Sequence, residues 1–113
     1  MTLASGKYGY ADLKVGDCLE PATRVITDTL IDDFARLSRD TYEIHMSDAA
    51  AQAKGFERRV AHGLLVLSVI DGLKNTAPAR FDALASLGWR RDFKLPVLAQ
   101  DEVSARFTVQ EKR

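Results

Sequence analysis

Two proton-transfer side chains, Asp40 and His45, stand five positions apart in the stretch Ser38-Arg39-Asp40-Thr41-Tyr42-Glu43-Ile44-His45. A carboxylate and an imidazole together can take a proton from one atom of a substrate and return one to another near neutral pH. Five helical steps of about 100° would turn the second side chain away from the first, so the spacing predicts a loop pair folded back on a common point. Further along, Ala61-His62-Gly63-Leu64-Leu65 opens an apolar helix. The first turn of a helix leaves backbone N–H groups without partners, and these suit an oxygen that gains negative charge during a reaction. Asp40 and His45 are thus the candidate acid/base pair, and the Gly63 N–H is the candidate oxyanion donor. Each residue also has a plainer role. An Asp just after a helix is commonly a solvated turn residue, a lone His a surface or core-edge residue, and Gly63 would equally serve close packing of helix on sheet.

Positioning these groups requires a helix before them and a core behind them. Thr27 or Thr29 can cap a helix, with Thr29-Leu30-Ile31-Asp32 close to a capping box, and Leu30, Phe34 and Leu37 recur at amphipathic spacing. That helix is expected to end near Ser38 to Asp40. A short helix should run from Ser47 through the alanines to Gly55, and a third from Gly63 to about Asn75. The third has almost no polar face, which predicts enclosure on nearly all sides. Tyr8 to Val15 reads as an extended or irregular entry. Cys18 to Ile26 reads as a strand interrupted by Pro21, Leu87 to Leu95 as another. Val103, Ala105, Phe107 and Val109 alternate with Ser104, Arg106, Thr108 and Gln110 as in a half-buried strand, after a connection from Pro96 to Asp101. The predicted fold class is α+β, an antiparallel curved sheet wrapped around one central apolar helix.

Composition removes several classes of function. A chain of 113 residues with 46% hydrophobic and 28% charged side chains is one ordinary globular domain. Sixteen basic and sixteen acidic side chains cancel, so no global field recruits nucleic acid or an anionic membrane. The aliphatic run from Leu64 to Ile70, broken by Ser68, is too short to span a bilayer. The first residues carry no apolar segment of signal-peptide type. Cys18 is the one cysteine, so the expected setting is a reducing, cytoplasmic one. Two histidines and one cysteine without ligand spacing predict no metal site.

Phe34-Ala35-Arg36-Leu37-Ser38-Arg39-Asp40, Ile44-His45, Ala61-His62-Gly63-Leu64-Leu65 and Phe93-Lys94-Leu95-Pro96-Val97 with Asp101 follow one another in an order and spacing that resembles the MaoC-type dehydratases. These are the (R)-specific enoyl-CoA hydratases of hot-dog fold, and the likeness runs from about residue 8 to residue 113. The resemblance implies Asp40 and His45 as catalytic pair and Gly63 as the amide that holds the thioester oxygen. It implies a hydro-lyase interconverting a 2-enoyl-CoA and a 3-hydroxyacyl-CoA, with coenzyme A as part of the substrate and no other cofactor. It also implies a homodimer joined edge to edge. Hydration needs a base for water at Cβ, an acid for Cα and a donor for the enolate oxygen, and these three residues offer that set. A hot-dog thioesterase and a non-catalytic acyl-CoA-binding or subunit domain are the alternatives.

The chain departs from the family pattern where Gly and Asn-Pro are usual, having Arg39, Tyr42 and Glu43 instead. The likeness also ends at Arg113 before a complete hot-dog sheet, so the expectation is a single domain over residues 1–113, incomplete at its C-terminus. Around the pair, Tyr42, His62 and Asp71 are candidate pocket or support residues. A carboxylate such as Asp71 on so apolar a helix needs a partner or a cavity. Arg58, Arg59 and Arg91 are candidate contacts for the phosphates of coenzyme A.

Overall fold

The computed structural model describes residues 1–113. In chain order the elements are β1 (Gly6–Tyr8), β2 (Cys18–Leu19), β3 (Arg24–Val25), α1 (Asp28–Ser38), α2 (Glu43–Met46), α3 (Asp48–Ala53), α4 (Gly63–Leu73), β4 (Ala79–Phe81), β5 (Glu102–Val103) and β6 (Phe107–Thr108). They fall into two compact units. One holds Met1–Thr23, Ile70–Arg91 and Ser104–Arg113, and the other holds Arg24–Val69 and Asp92–Val103. No helix is long and apolar enough to cross a membrane.

In the first unit β2 pairs with β6 antiparallel, Leu19 opposite Phe107, and β1 pairs with β4 parallel, Tyr8 opposite Phe81. Leu19, Ala77 and Ala79 form its buried centre, with Leu3, Tyr8, Phe81 and Phe107 packed against it. The strand expected from Cys18 to Ile26 is two pieces, β2 and β3, that pair with different partners and are parted around Pro21. Proline donates no N–H to a ladder, which accounts for the break. The expected strand from Val103 is likewise two pieces, yet its alternation holds: the apolar residues are half-buried and their polar neighbours exposed.

The predicted strand from Leu87 to Leu95 does not form. Its backbone joins no ladder, and Leu87 and Leu95 are 100% and 82% exposed. Apolar alternation alone leaves a segment extended; a strand also needs a neighbouring edge. Helix α4 is one-sided rather than enclosed all round: Leu65, Val66 and Leu73 are buried, while Leu64, Ser68 and Gly72 are exposed.

The second unit carries every candidate residue of the acid/base site. Here β3 pairs with β5 antiparallel, and Ile26, Ile31, Ala35, Ala51, Val60, Leu65 and Ala99 are buried. Helix α1 is capped by Thr27, whose hydroxyl accepts from the Leu30 N–H at 3.1 Å. Its buried stripe is Ile31 and Ala35, one turn apart; Leu30 and Phe34 flank it, and Leu37 stands 81% exposed. Leu30, Phe34 and Leu37, expected as the centre of the buried face, are thus its flank, a rotation of one residue. Helix α3 begins at the Ser47 cap and is followed by a reversal at Gly55, φ +95°, as expected.

Helix α1 ends on Arg39 in the left-handed region, φ 64°, with its N–H bonded to the Ala35 carbonyl at 2.8 Å. A side chain there is strained, and glycine is not. Arg39→Gly should therefore stabilise the protein by about 0.5–1 kcal/mol, read as a rise of a few degrees in Tm. A lower Tm would contradict this reading of the turn.

Candidate active site

The loop after α1 places Asp40 by local hydrogen bonds. Its N–H donates to Ser38 Oγ at 3.1 Å, and its Oδ1 accepts from the Tyr42 N–H at 3.3 Å. The second bond is an Asx-type turn, which reverses the chain directly after the carboxylate. His45 is not on that loop, so the two do not form the expected loop pair; it stands on the one-turn helix α2 that follows. Turn and helix together bring the imidazole back. Asp40 Oδ2 and His45 Nε2 lie 4.0 Å apart, with the Asp40 side chain half exposed and that of His45 nearly buried.

The hydrogen bonds fix which nitrogen of His45 is reactive. Nδ1 lies 2.7 Å from the Val60 carbonyl. A carbonyl only accepts, so Nδ1 carries the hydrogen, and in neutral imidazole Nε2 keeps its lone pair. That lone pair is on the side of Asp40. A gap of 4.0 Å is too long for a direct hydrogen bond. It is short enough for one water to touch both atoms.

His62, the lesser candidate from sequence, is more closely engaged than expected. It is 2% exposed, its ring stacks on His45 at 3.8 Å between centroids, and its Nε2–H donates to the Asp40 carbonyl at 2.8 Å. Phe34 packs on the same ring at 5.0 Å. Tyr42 lies edge-on to His45 at 6.2 Å, is half exposed, and lines neither of the cavities that reach His45. An imidazole immediately before the helix-opening Gly63 was the sequence signal for His62. Asp40, His45 and His62 offer ligand atoms within 4.8 Å of one another. The two rings are tilted by only 26°. Imidazole lone pairs lie in the ring plane, so those of two stacked rings do not converge on one ion without rotation. The arrangement suits proton transfer to a shared water better than a metal.

Gly63 borders two cavities. One, about 290 Å³, is lined by Asp40, His45, His62, Ser38 and Phe34. The other, about 390 Å³, is walled by Phe56, Val60, Val66, Phe93, Leu95 and Val97 and also reaches His45. The cavity that holds the acid/base pair and the apolar one thus share His45 and Gly63. As the first residue of α4, Gly63 has an N–H with no acceptor inside the helix. A Cβ on it would lie 2.9 Å from Phe93 Cζ, so glycine is what allows the ring so close to the backbone.

Other expected site residues are occupied elsewhere. Arg59 is 8% exposed and pairs with Asp32 at 2.5 Å, so it is not a phosphate contact. Arg58 donates to the Ala99 carbonyl at 2.5 Å and to Asp101 Oδ1 at 2.6 Å, which likewise commits it to the fold. Arg91 is exposed and belongs to the first unit. Asp71, in the same unit, meets its need for a partner through Lys74 at 2.7 Å, one turn on, and lines neither cavity of the site.

Known proteins carry the same arrangement of sequence. A family model described as "MaoC like domain" matches residues 14–113. The chain belongs to the MaoC-like domain family. It is 38% identical over 76 residues to an (R)-specific enoyl-CoA hydratase of Aeromonas caviae, a match covering 67% of this chain and 56% of the relative. It is 34% identical over 91 residues to a mitochondrial 3-hydroxyacyl-[acyl-carrier-protein] dehydratase of Arabidopsis thaliana, covering 80% and 52%. The chain therefore spans about half the length of these curated relatives. Among solved structures, the R-hydratase PhaJ1 of Pseudomonas aeruginosa superposes with a TM-score of 0.79 at 31% identity, over 92% of this chain and 66% of that one. The α+β hot-dog class expected from the sequence is thus the fold of this MaoC-like chain, with one parallel strand pair, β1 with β4, beside its antiparallel ones.

Proposed function

We propose that this MaoC-like chain belongs to a hydro-lyase that interconverts a 2-enoyl thioester of coenzyme A and the (R)-3-hydroxyacyl thioester. The observation that carries the reading is the pair Asp40 Oδ2 and His45 Nε2, 4.0 Å apart, in a cavity that Gly63 also lines and at the edge of an apolar one. A water between the two groups gives up a proton to one of them as its oxygen bonds to Cβ. The electron pair of the Cα–Cβ double bond moves towards the carbonyl, and the thioester oxygen takes negative charge. The Gly63 N–H, at the positive end of α4, stabilises that charge. The pair then delivers a proton to Cα, so the elements of water are added and no thiol is released. Elimination is the reverse.

The apolar cavity of about 390 Å³ suits the acyl chain, since Phe56, Val66 and Val97 offer it no polar partner. Apolar residues in solvent, Leu84 and Leu87 among them, support a dimer as the working form. The name of the Aeromonas caviae relative, an enoyl-CoA hydratase, supports coenzyme A as carrier.

The test is a panel of short, branched and medium 2-enoyl-CoA thioesters. Hydration removes the conjugated absorbance without free thiol. Thiol release would favour the thioesterase, and binding without either change would favour a non-catalytic acyl-CoA domain. Gly63→Ala gives a second test. The new methyl meets only the outer atoms of the half-exposed Phe93 ring, so the fold should survive. It would stand beside the amide that receives the thioester oxygen. The N–H remains, but the methyl crowds the oxygen's approach to it, so turnover should fall by up to about 10²-fold, the size of a lost oxyanion contact, with Tm nearly unchanged. Full activity in that variant would mean that the thioester oxygen does not approach the backbone past the Gly63 Cα.

A further inference from the structure

We infer that Arg59 is the positioning residue of the dyad, holding the helix of His45 and the helix that leads to Asp40 on one guanidinium. The inference rests on the Asp40–His45 reading above. Its Nε–H donates to the His45 carbonyl at 2.7 Å, its Nη2 to Asp32 Oδ1 at 2.5 Å, and its Nη1 lies 4.0 Å from Asp28 Oδ2. Asp28 and Asp32 sit one turn apart on α1, the helix whose end presents Asp40. His45 belongs to α2, four residues long, which has too few internal hydrogen bonds to hold its own place.

What holds α2 is the strip at 59–60. The Val60 N–H donates to the Ile44 carbonyl at 2.9 Å, and the Val60 carbonyl receives His45 Nδ1–H at 2.7 Å. The Arg59 N–H donates to Asp48 Oδ1 at 2.9 Å, just past the end of α2. The guanidinium adds a charged donor at the His45 carbonyl, which no N–H within so short a helix can satisfy. A planar fork can serve a carbonyl and a carboxylate at once; an ammonium is a single point charge. With the side chain 10% exposed, water offers little substitute for either bond. The 4.0 Å gap between Asp40 and His45 is therefore set by a residue that touches neither reacting atom.

Arg59→Met keeps the buried stem and removes the fork. In the full chain, assayed well below its Tm, kcat per folded molecule should fall about 10²-fold with KM little changed, as for a displaced catalytic group. The imidazole ¹⁵N spectrum of His45 should lose its dominant Nδ1-protonated form. A variant that keeps both the wild-type kcat and that tautomer overturns the inference, whatever its Tm. If Arg59→Met does not fold, Arg59→Lys decides: loss of kcat at an unchanged KM supports positioning, and wild-type kcat overturns it. The spectrum also separates the two readings. If the wild type hydrates no enoyl thioester, the proposed reaction fails, while the change of tautomer still decides whether Arg59 places His45.

Discussion

Asp40→Asn should lower kcat for enoyl-CoA hydration by about 10³-fold while leaving KM nearly unchanged. The amide has the size of the carboxylate and keeps an oxygen for the Tyr42 N–H, so the turn at 40–42 survives. The Asp40 carbonyl still receives His62 Nε2–H, so the loop stays on its buried anchor. What is lost is the charge and proton affinity at Oδ2, the atom that faces His45. Substrate should bind as before and wait. The checks are steady-state kinetics and a direct binding titration; near-wild-type turnover would leave Asp40 a solvated turn residue.

His45→Gln should be as damaging to turnover, about 10³-fold, and should also lower the Tm. Glutamine has no ring to stack on His62, and it holds the Val60 carbonyl less well. Because both side chains act on one water, their losses should not multiply. The double variant Asp40→Asn, His45→Gln should be about as slow as either single one, the behaviour of groups that work as a unit. Rates that fall by the product of the two losses would mean that the residues act on separate steps or separate molecules.

Much of this site was legible in the residues themselves. The carboxylate and imidazole five apart do converge, Gly63 does open the apolar helix, and the caps at Thr27 and Ser47 with the reversal at Gly55 stand where side-chain chemistry puts them. Those signals are local. The misreadings came from interactions that no window of sequence contains. Leu87 to Leu95 has the look of a strand, yet a strand depends on an edge supplied from elsewhere. Arg58 and Arg59 read as cations open to a phosphate because their partners, Asp101 and Asp32, are distant in the chain. The phase of α1 slipped because Leu outranks Ala by hydrophobicity, although Ala35 is the residue that the packing admits. His62 was undervalued because stacking on His45 is visible only when both rings have been placed.

The central claim is that Asp40 and His45 address one oxygen while the Gly63 amide addresses another. A crystal structure with a bound (R)-3-hydroxyacyl-CoA tests it most directly, because the product hydroxyl stands where the added water stood. The account predicts that hydroxyl within hydrogen-bond reach of both Asp40 Oδ2 and His45 Nε2, with the thioester oxygen on the Gly63 N–H and the acyl chain against Phe56 and Val66. A product whose hydroxyl touches neither side chain, or whose thioester lies away from the start of α4, would contradict it.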